Sequence, residues 1–137
     1  MKKKLLSVLL IVLVLALGMQ TEVYAAEDSE MYTGISSITS TMGIYDSVLD
    51  FSVDVETRGS EYADAVSIDA ELRTVDGRFI KGWSEDLEES LSVYTFQKRR
   101  AVSESGTYFL HFTVYCYKDG VLLDEVTKDS KTATYVR

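Results

Sequence analysis

The side chains able to do chemistry are few in kind and unevenly spread. His111 is the single histidine of the 137-residue chain, and Cys116 is its single cysteine. A serine or cysteine nucleophile needs a base such as imidazole to take its proton. In residues 106–117, alternation puts Tyr108, Leu110, Phe112, Val114 and Cys116 on one side of an extended strand. Phe109, His111, Thr113, Tyr115 and Tyr117 fall on the other, because successive strand side chains point to opposite faces. Cys116 therefore reads as a small buried apolar residue and His111 as an outward imidazole, so the two make no nucleophile–base pair. One histidine and one cysteine also fall short of an ordinary zinc ligand set. No catalytic residue, metal ligand or cofactor is assigned.

Carboxylates are plentiful. Asp50, Asp54 and Glu56 share one face of a strand with Ser52, and Asp69 and Glu71 do the same on the next. These read as solvated faces that keep sheets from pairing with other chains. Glu85, Asp86, Glu88 and Glu89 form an acidic stretch expected between strands, with room for no more than a helical turn. Calcium takes several carboxylate and carbonyl oxygens. Asp46 and Asp50, or the 85–89 stretch, would be the loop acids for it, although no Asp-x-Asp-x-Asp-Gly loop is present. A calcium-stabilised structural protein is one alternative reading. An extracellular enzyme or enzyme inhibitor working through residues 85–89 is another. Glycosidase chemistry, however, needs two carboxyls across a cleft, one of them buried enough to hold its proton, and alternation this regular puts acids in water.

Lys98-Arg99-Arg100 is the basic cluster, expected in a loop where it could meet an anionic wall polymer or an acidic partner. The aromatics suggest recognition. Tyr94, Phe109, Tyr115 and Tyr117 fall opposite the apolar sets of their strands, and Trp83 sits on an expected edge strand. Exposed Tyr and Trp are common recognition groups, so Trp83, Phe109, Tyr115 and Tyr117 are the candidate binding residues.

The elements that position these groups are strands. Period-two alternation recurs through Ile35–Thr39, Leu49–Thr57, Val66–Arg73, Phe79–Ser84, Leu91–Phe96, residues 106–117 and Val121–Val126. Asp76-Gly77 is a strong hairpin signal, and Lys118-Asp119-Gly120 is a second turn. Residues 132–136 extend the last strand after a bulge near Asp129-Ser130. About seven short antiparallel strands predict a single all-β, immunoglobulin-like two-sheet sandwich over residues 33–137, with a small barrel as the other architecture. The predicted core is Ile35, Ile38, Phe51, Val53, Val55, Ile68, Ala70, Leu72, Leu91, Val93, Tyr108, Leu110, Phe112, Val114 and Cys116.

The N-terminus has a different composition. Lys2-Lys3-Lys4 precedes a 13-residue apolar run from Leu5 to Leu17, followed by Gly18 and the small residues Ala25 and Ala26. This is the layout of a cleaved signal peptide over residues 1–25, shorter than the ~20 apolar residues of a spanning helix. Residues 26–32 read as a flexible leader. No cysteine follows the cut to carry a lipid, and the chain has no proline for a proline-containing sorting motif. The expectation is a secreted, extracellular monomer, released or held non-covalently at the wall, with no membrane association after cleavage. The whole chain carries 14 basic and 22 acidic residues; without residues 1–25, 11 and 21 remain, a net charge of −10. That sign disfavours nucleic acid and anionic lipid, whose binding needs Lys and Arg to displace counterions.

Ile35-Ser-Ser-Ile38, Trp83, Gly106-Thr-Tyr108, Val114-Tyr-x-Tyr, Lys118-Asp-Gly and Val126-Thr-Lys, ending in Thr and Tyr, together resemble a group of small secreted proteins. These are Gram-positive (Clostridia-like) bacterial proteins with an immunoglobulin- or fibronectin-III-like sandwich. The likeness covers the mature chain. It implies the fold and a secretion habit, and carries no catalytic residues. Gly106-x-Tyr108 also resembles the tyrosine corner of such sandwiches, whose hydroxyl ties back to the backbone. The combined expectation is a non-catalytic binding module for a protein or for a glycan or other cell-wall partner.

Overall fold

The computed structural model describes residues 32–137; the expected signal peptide and nearly all of the leader lie outside them. Nine strands are present among the described residues: β1 (Ile35–Tyr45), β2 (Val48–Thr57), β3 (Ala65–Thr74), β4 (Phe79–Leu87), β5 (Glu89–Ser90), β6 (Val93–Ala101), β7 (Gly106–Lys118), β8 (Val121–Asp129) and β9 (Ala133–Tyr135). One sheet has the order β1-β2-β6-β5. The other runs β4-β3-β7-β8, with β9 also pairing β7. All pairings are antiparallel. The fold is an antiparallel two-sheet sandwich with an immunoglobulin-like strand order.

Alternation sets the inward faces. Leu49, Phe51, Val53 and Val55 of β2 are fully buried, as are Leu110 and Val114 of β7. Val66, Ile68, Ala70 and Leu72 of β3 oppose Cys116, Val114, Phe112 and Leu110 across the ladder. Each large apolar side chain removed from water contributes about 1.5–3 kcal/mol, so these three strands hold most of the core.

Two-residue turns close three hairpins. Asp46-Ser47, Leu91-Ser92 and Asp119-Gly120 each have positive φ at both positions, between 49° and 76°. That geometry matches the right-handed twist of the flanking strands. The last of these has the Asp-Gly signature visible in the sequence. Leu91-Ser92 has none, and here the expectation is corrected. Leu91 is 96% exposed, and Val93 is only half-buried. Instead Tyr94 and Phe96 face the core, opposite Val55 and Val53 of β2. Burying two large aromatic rings outweighs burying Leu91 and Val93, and a one-residue shift exchanges the faces.

Three further expectations change. Lys98-Arg99-Arg100 lies within β6, not in a loop, and Glu85 to Ser90 is nearly all strand. The first strand runs on to Tyr45, carrying Met42 and Ile44 against the core. Residues 133–135 do continue along the β8 side of β7, as β9 opposite Gly106–Tyr108.

The two sheets are joined near the start of β1. Asp124 of β8 is buried, and its carboxylate accepts the backbone N–H groups of Thr33 and Gly34 at 2.7 Å and of Ile35 at 3.1 Å. Gly34 is required there, since a Cβ would lie 2.9 Å from the Cys116 sulfur. Asp124→Ala strands these donors and should cost about 2–3 kcal/mol in urea unfolding. Replacing Leu91-Ser92 by Asn-Gly should raise stability by about 1 kcal/mol, because it relieves two positive-φ residues. A fall in that same unfolding assay would mean that Leu91 belongs to the core after all.

Candidate functional site

The outward face of the five-stranded sheet is built around β7. Phe109, His111, Thr113, Tyr115 and Tyr117 stand there half-buried, alternating with the fully interior set. Their neighbours follow from register. Tyr115 lies between Ser67 of β3 and Glu125 of β8, and His111 lies between Glu71 and Asp129. Cross-strand bonds tie the rows together. The Tyr115 hydroxyl donates to Asp69 Oδ2 at 3.2 Å, and Ser84 donates to Asp69 Oδ1 at 2.5 Å. Thr113 and Thr127 share a hydroxyl bond of 2.8 Å. His111 Nδ1 donates to the Asp129 carboxylate at 2.6 Å, and Arg73 pairs with Glu71. Partial burial, then the negative charge of Asp69, pushes the Tyr115 phenol above its ordinary range. The phenol therefore stays a neutral hydrogen-bonding group, on a face edged by Asp69, Glu71, Asp86, Glu125 and Asp129.

Of the four sequence candidates, the structure brings together Phe109, Tyr115 and Tyr117 and separates Trp83. Trp83 is on edge strand β4 as expected, but it points between the sheets. Its ring sits 5.4 Å from Phe51 and 6.0 Å from Phe96, centroid to centroid. The cause is register, which places it opposite buried Ala70. Tyr94, also read as outward, is interior. Phe79 was missed. It is 56% exposed, lies opposite Arg73, and lies over the side-chain-free Gly82. A position directly beside a hairpin turn is the signal that could have found it.

The acidic segment does not converge. Glu85 points inward and pairs with Lys98 of β6 at 2.6 Å, while Asp86 shares the outward row of Ser67. Among the described residues no group of three or more His, Cys, Asp or Glu is arranged to hold a metal ion. Among the described residues, every carboxyl whose acidity is clearly perturbed moves down. Asp50 is held low by the Arg99 and Gln97 hydrogen bonds, Asp64 by the Asp119 amide, and Asp76 by the Thr74 hydroxyl. A general acid would require the opposite shift.

A shallow cleft of about 250 Å³ opens at one end of the sandwich, lined by Arg78, Phe79, Arg100, Ser103, Glu104 and Tyr108 among others. Tyr108 forms the expected corner, its hydroxyl donating to the Glu104 carbonyl at 2.7 Å. Arg78 pairs with the Glu104 carboxylate there, which raises the guanidinium further.

No family model and no curated protein matches the chain. Among solved structures it is similar to the CARDB domain of a Pyrococcus furiosus protein in complex with di-metal ions. Identity is 14% over 77% of this chain and 94% of that one, with a TM-score of 0.41. It is also similar to part of a Bacteroides fragilis protein assigned as a beta-galactosidase, with 17% identity over 67% of this chain and a TM-score of 0.39; the likeness spans 15% of that protein.

Cys116 is fully buried, and desolvation, followed by the charges of Asp124 and Asp64, lifts its thiol from 9.0 to about 11. A protonated, enclosed thiol is inert. Native protein should therefore fail to react with a thiol-disulfide reagent at neutral pH and react fully once unfolded. The raised folded value means that this contribution to stability is present below pH 9 and lost as pH rises toward 11. Melting temperatures across that window should fall less steeply in Cys116→Ala than in the parent chain.

Proposed function

We propose that the chain is exported through its N-terminal signal and that the mature domain is a non-catalytic binding module working outside the cytoplasm. Its working surface is the outward face of the five-stranded sheet. The observation that carries this reading is the grouping of Phe109, Tyr115 and Tyr117 on the central strand of that sheet, with Asp69 hydrogen-bonded to the Tyr115 hydroxyl. Tyrosine supplies a rigid contact area with a polar tip at small entropic cost. The face lies on a sheet backed by a packed core, as suits docking on an extended protein or glycan surface. Its carboxylates favour a partner carrying positive charge or hydroxyl groups. The partner belongs to the cell envelope, from which the domain is held non-covalently.

The test is fractionation of cells making the full chain, with immunoblotting of washed envelopes and culture medium. The parent chain should be retained on the envelope and leave in high salt. Tyr115→Ala with Tyr117→Ala should move it into the medium, with retention falling about tenfold or more. Equal retention of parent and variant would overturn the assignment of this face. A parent chain wholly in the medium would overturn envelope binding, and one held in the cell would overturn export.

A further inference from the structure

The edges of the two sheets are protected very unequally. Edge strand β4 carries Lys81, Glu85 and Asp86, and β8 carries Asp124, Glu125, Lys128 and Asp129. β5 has two residues and β9 three, and β6 beyond its pairing with β5 carries Lys98, Arg99 and Arg100. Short length and charge are the devices that keep a sheet edge from accepting another strand. The remaining edge is β1. It is 11 residues long and has no charged residue and no proline, in a chain that is 26% charged. Its pairing with β2 runs nearly its whole length, and among the described residues no strand is laddered to its other side, beside which β9 lies.

We propose that β1 accepts an added strand from a basic extended polypeptide, at a surface distinct from the aromatic face. Two observations set the chemistry of the occupant. On the outward side β1 presents the small residues Ser37, Thr39 and Thr41, then Gly43 under the exposed Tyr45 ring. Behind them stand Glu56, Asp54 and Asp50 of β2, opposite Ser37, Thr39 and Gly43. Asp50 is paired with Arg99, whereas Asp54 and Glu56 have no ion pair among the described residues, being bonded to the hydroxyls of Thr95 and Ser37. An added strand lies about 10 Å from β2, two strand spacings, so a Lys or Arg side chain on it reaches across the small β1 row to these carboxylates. On the inward side, Ile38, Met42 and Ile44 are half-buried against the core, with the Ser130 hydroxyl beside the Met42 sulfur. The occupant therefore alternates basic outward with apolar inward residues, and main-chain bonding to the edge supplies affinity for it. A second copy of the chain would instead bring its own acidic row to the same place.

The probes are an alternating Lys-Val decapeptide and its Glu-Val counterpart, titrated by fluorescence anisotropy against the purified exported chain. The Lys-Val peptide should bind, more weakly as salt is raised, and the Glu-Val peptide should not. Thr39→Lys places a cation opposite Asp54 within β1, so the variant should keep its melting temperature yet bind the Lys-Val peptide about tenfold less tightly. The Tyr115→Ala, Tyr117→Ala variant should bind it as the parent does. No binding, equal binding of both peptides, or full binding by Thr39→Lys would overturn the edge site. Loss of binding in the tyrosine variant would overturn it too, by moving the peptide to the other face.

Discussion

The Asp124 carboxylate is the contact on which the arrangement of this sandwich depends. The sheets share no disulfide, because the chain has one cysteine, and on this side the packing of side chains is joined by a hydroxyl bond between Ser47 and Tyr135. Asp124 projects from β8 and collects three consecutive N–H groups at the start of β1. Burying a carboxylate is costly unless hydrogen bonds replace its water, and three charge-assisted bonds do so here. The bonds specify where the first sheet begins against the second. From that fixed point β1 enters at Ile35 and pairs with β2, and Gly34 lets the chain pass against the Cys116 sulfur. The clasp fixes where β1 begins, and its ladder with β2 sets the direction of the strand from there.

Much of the fold could be read from the sequence because alternation is a direct consequence of strand geometry. The inward sets of β2, β3 and β7 are as their periodicity predicts, and the Tyr108 corner is where its Gly-x-Tyr sequence points. The failures have a common physical origin. In β6 the run Leu91–Phe96 has apolar residues of both parities, so either face could be buried. The choice was made by partners far along the chain, Val53 and Val55, and by a Leu-Ser turn with no glycine or asparagine to announce it. Lys98 and Glu85 were misplaced for a related reason. Charged residues read as loop, but here they lie within β4 and β6 and meet each other across the sheets. Asp124 carried a usable signal, an acid at the inward parity of Val126, which its neighbours Asp129 and Glu125 obscured.

The candidate site was readable to a similar depth. Parity alone placed Phe109, Tyr115 and Tyr117 together, since all three belong to one strand. Trp83 needed knowledge of its register against Ala70, a long-range fact, and it packs half-buried against the core. The division is a general one. Residues grouped on one strand can be read from their spacing, whereas those grouped across strands depend on pairings that sequence patterning leaves open.

β7 concentrates these consequences. It is the longest strand, paired with β3 on one side and with β8 and β9 on the other. Its inward residues are core, and its outward residues are the aromatic row. Ladder bonds on both sides and a packed interior beneath leave the backbone under Tyr115 and Tyr117 little freedom to lose on binding. Affinity for a partner is reduced by whatever ordering the association demands, and a site on a central strand demands little. The β1 edge is placed differently, held along one side and pinned at one end, so strand addition there would complete its pairing. On these two proposals, the same sandwich would offer one surface ordered in advance and one finished by its occupant, calling for partners of different shape.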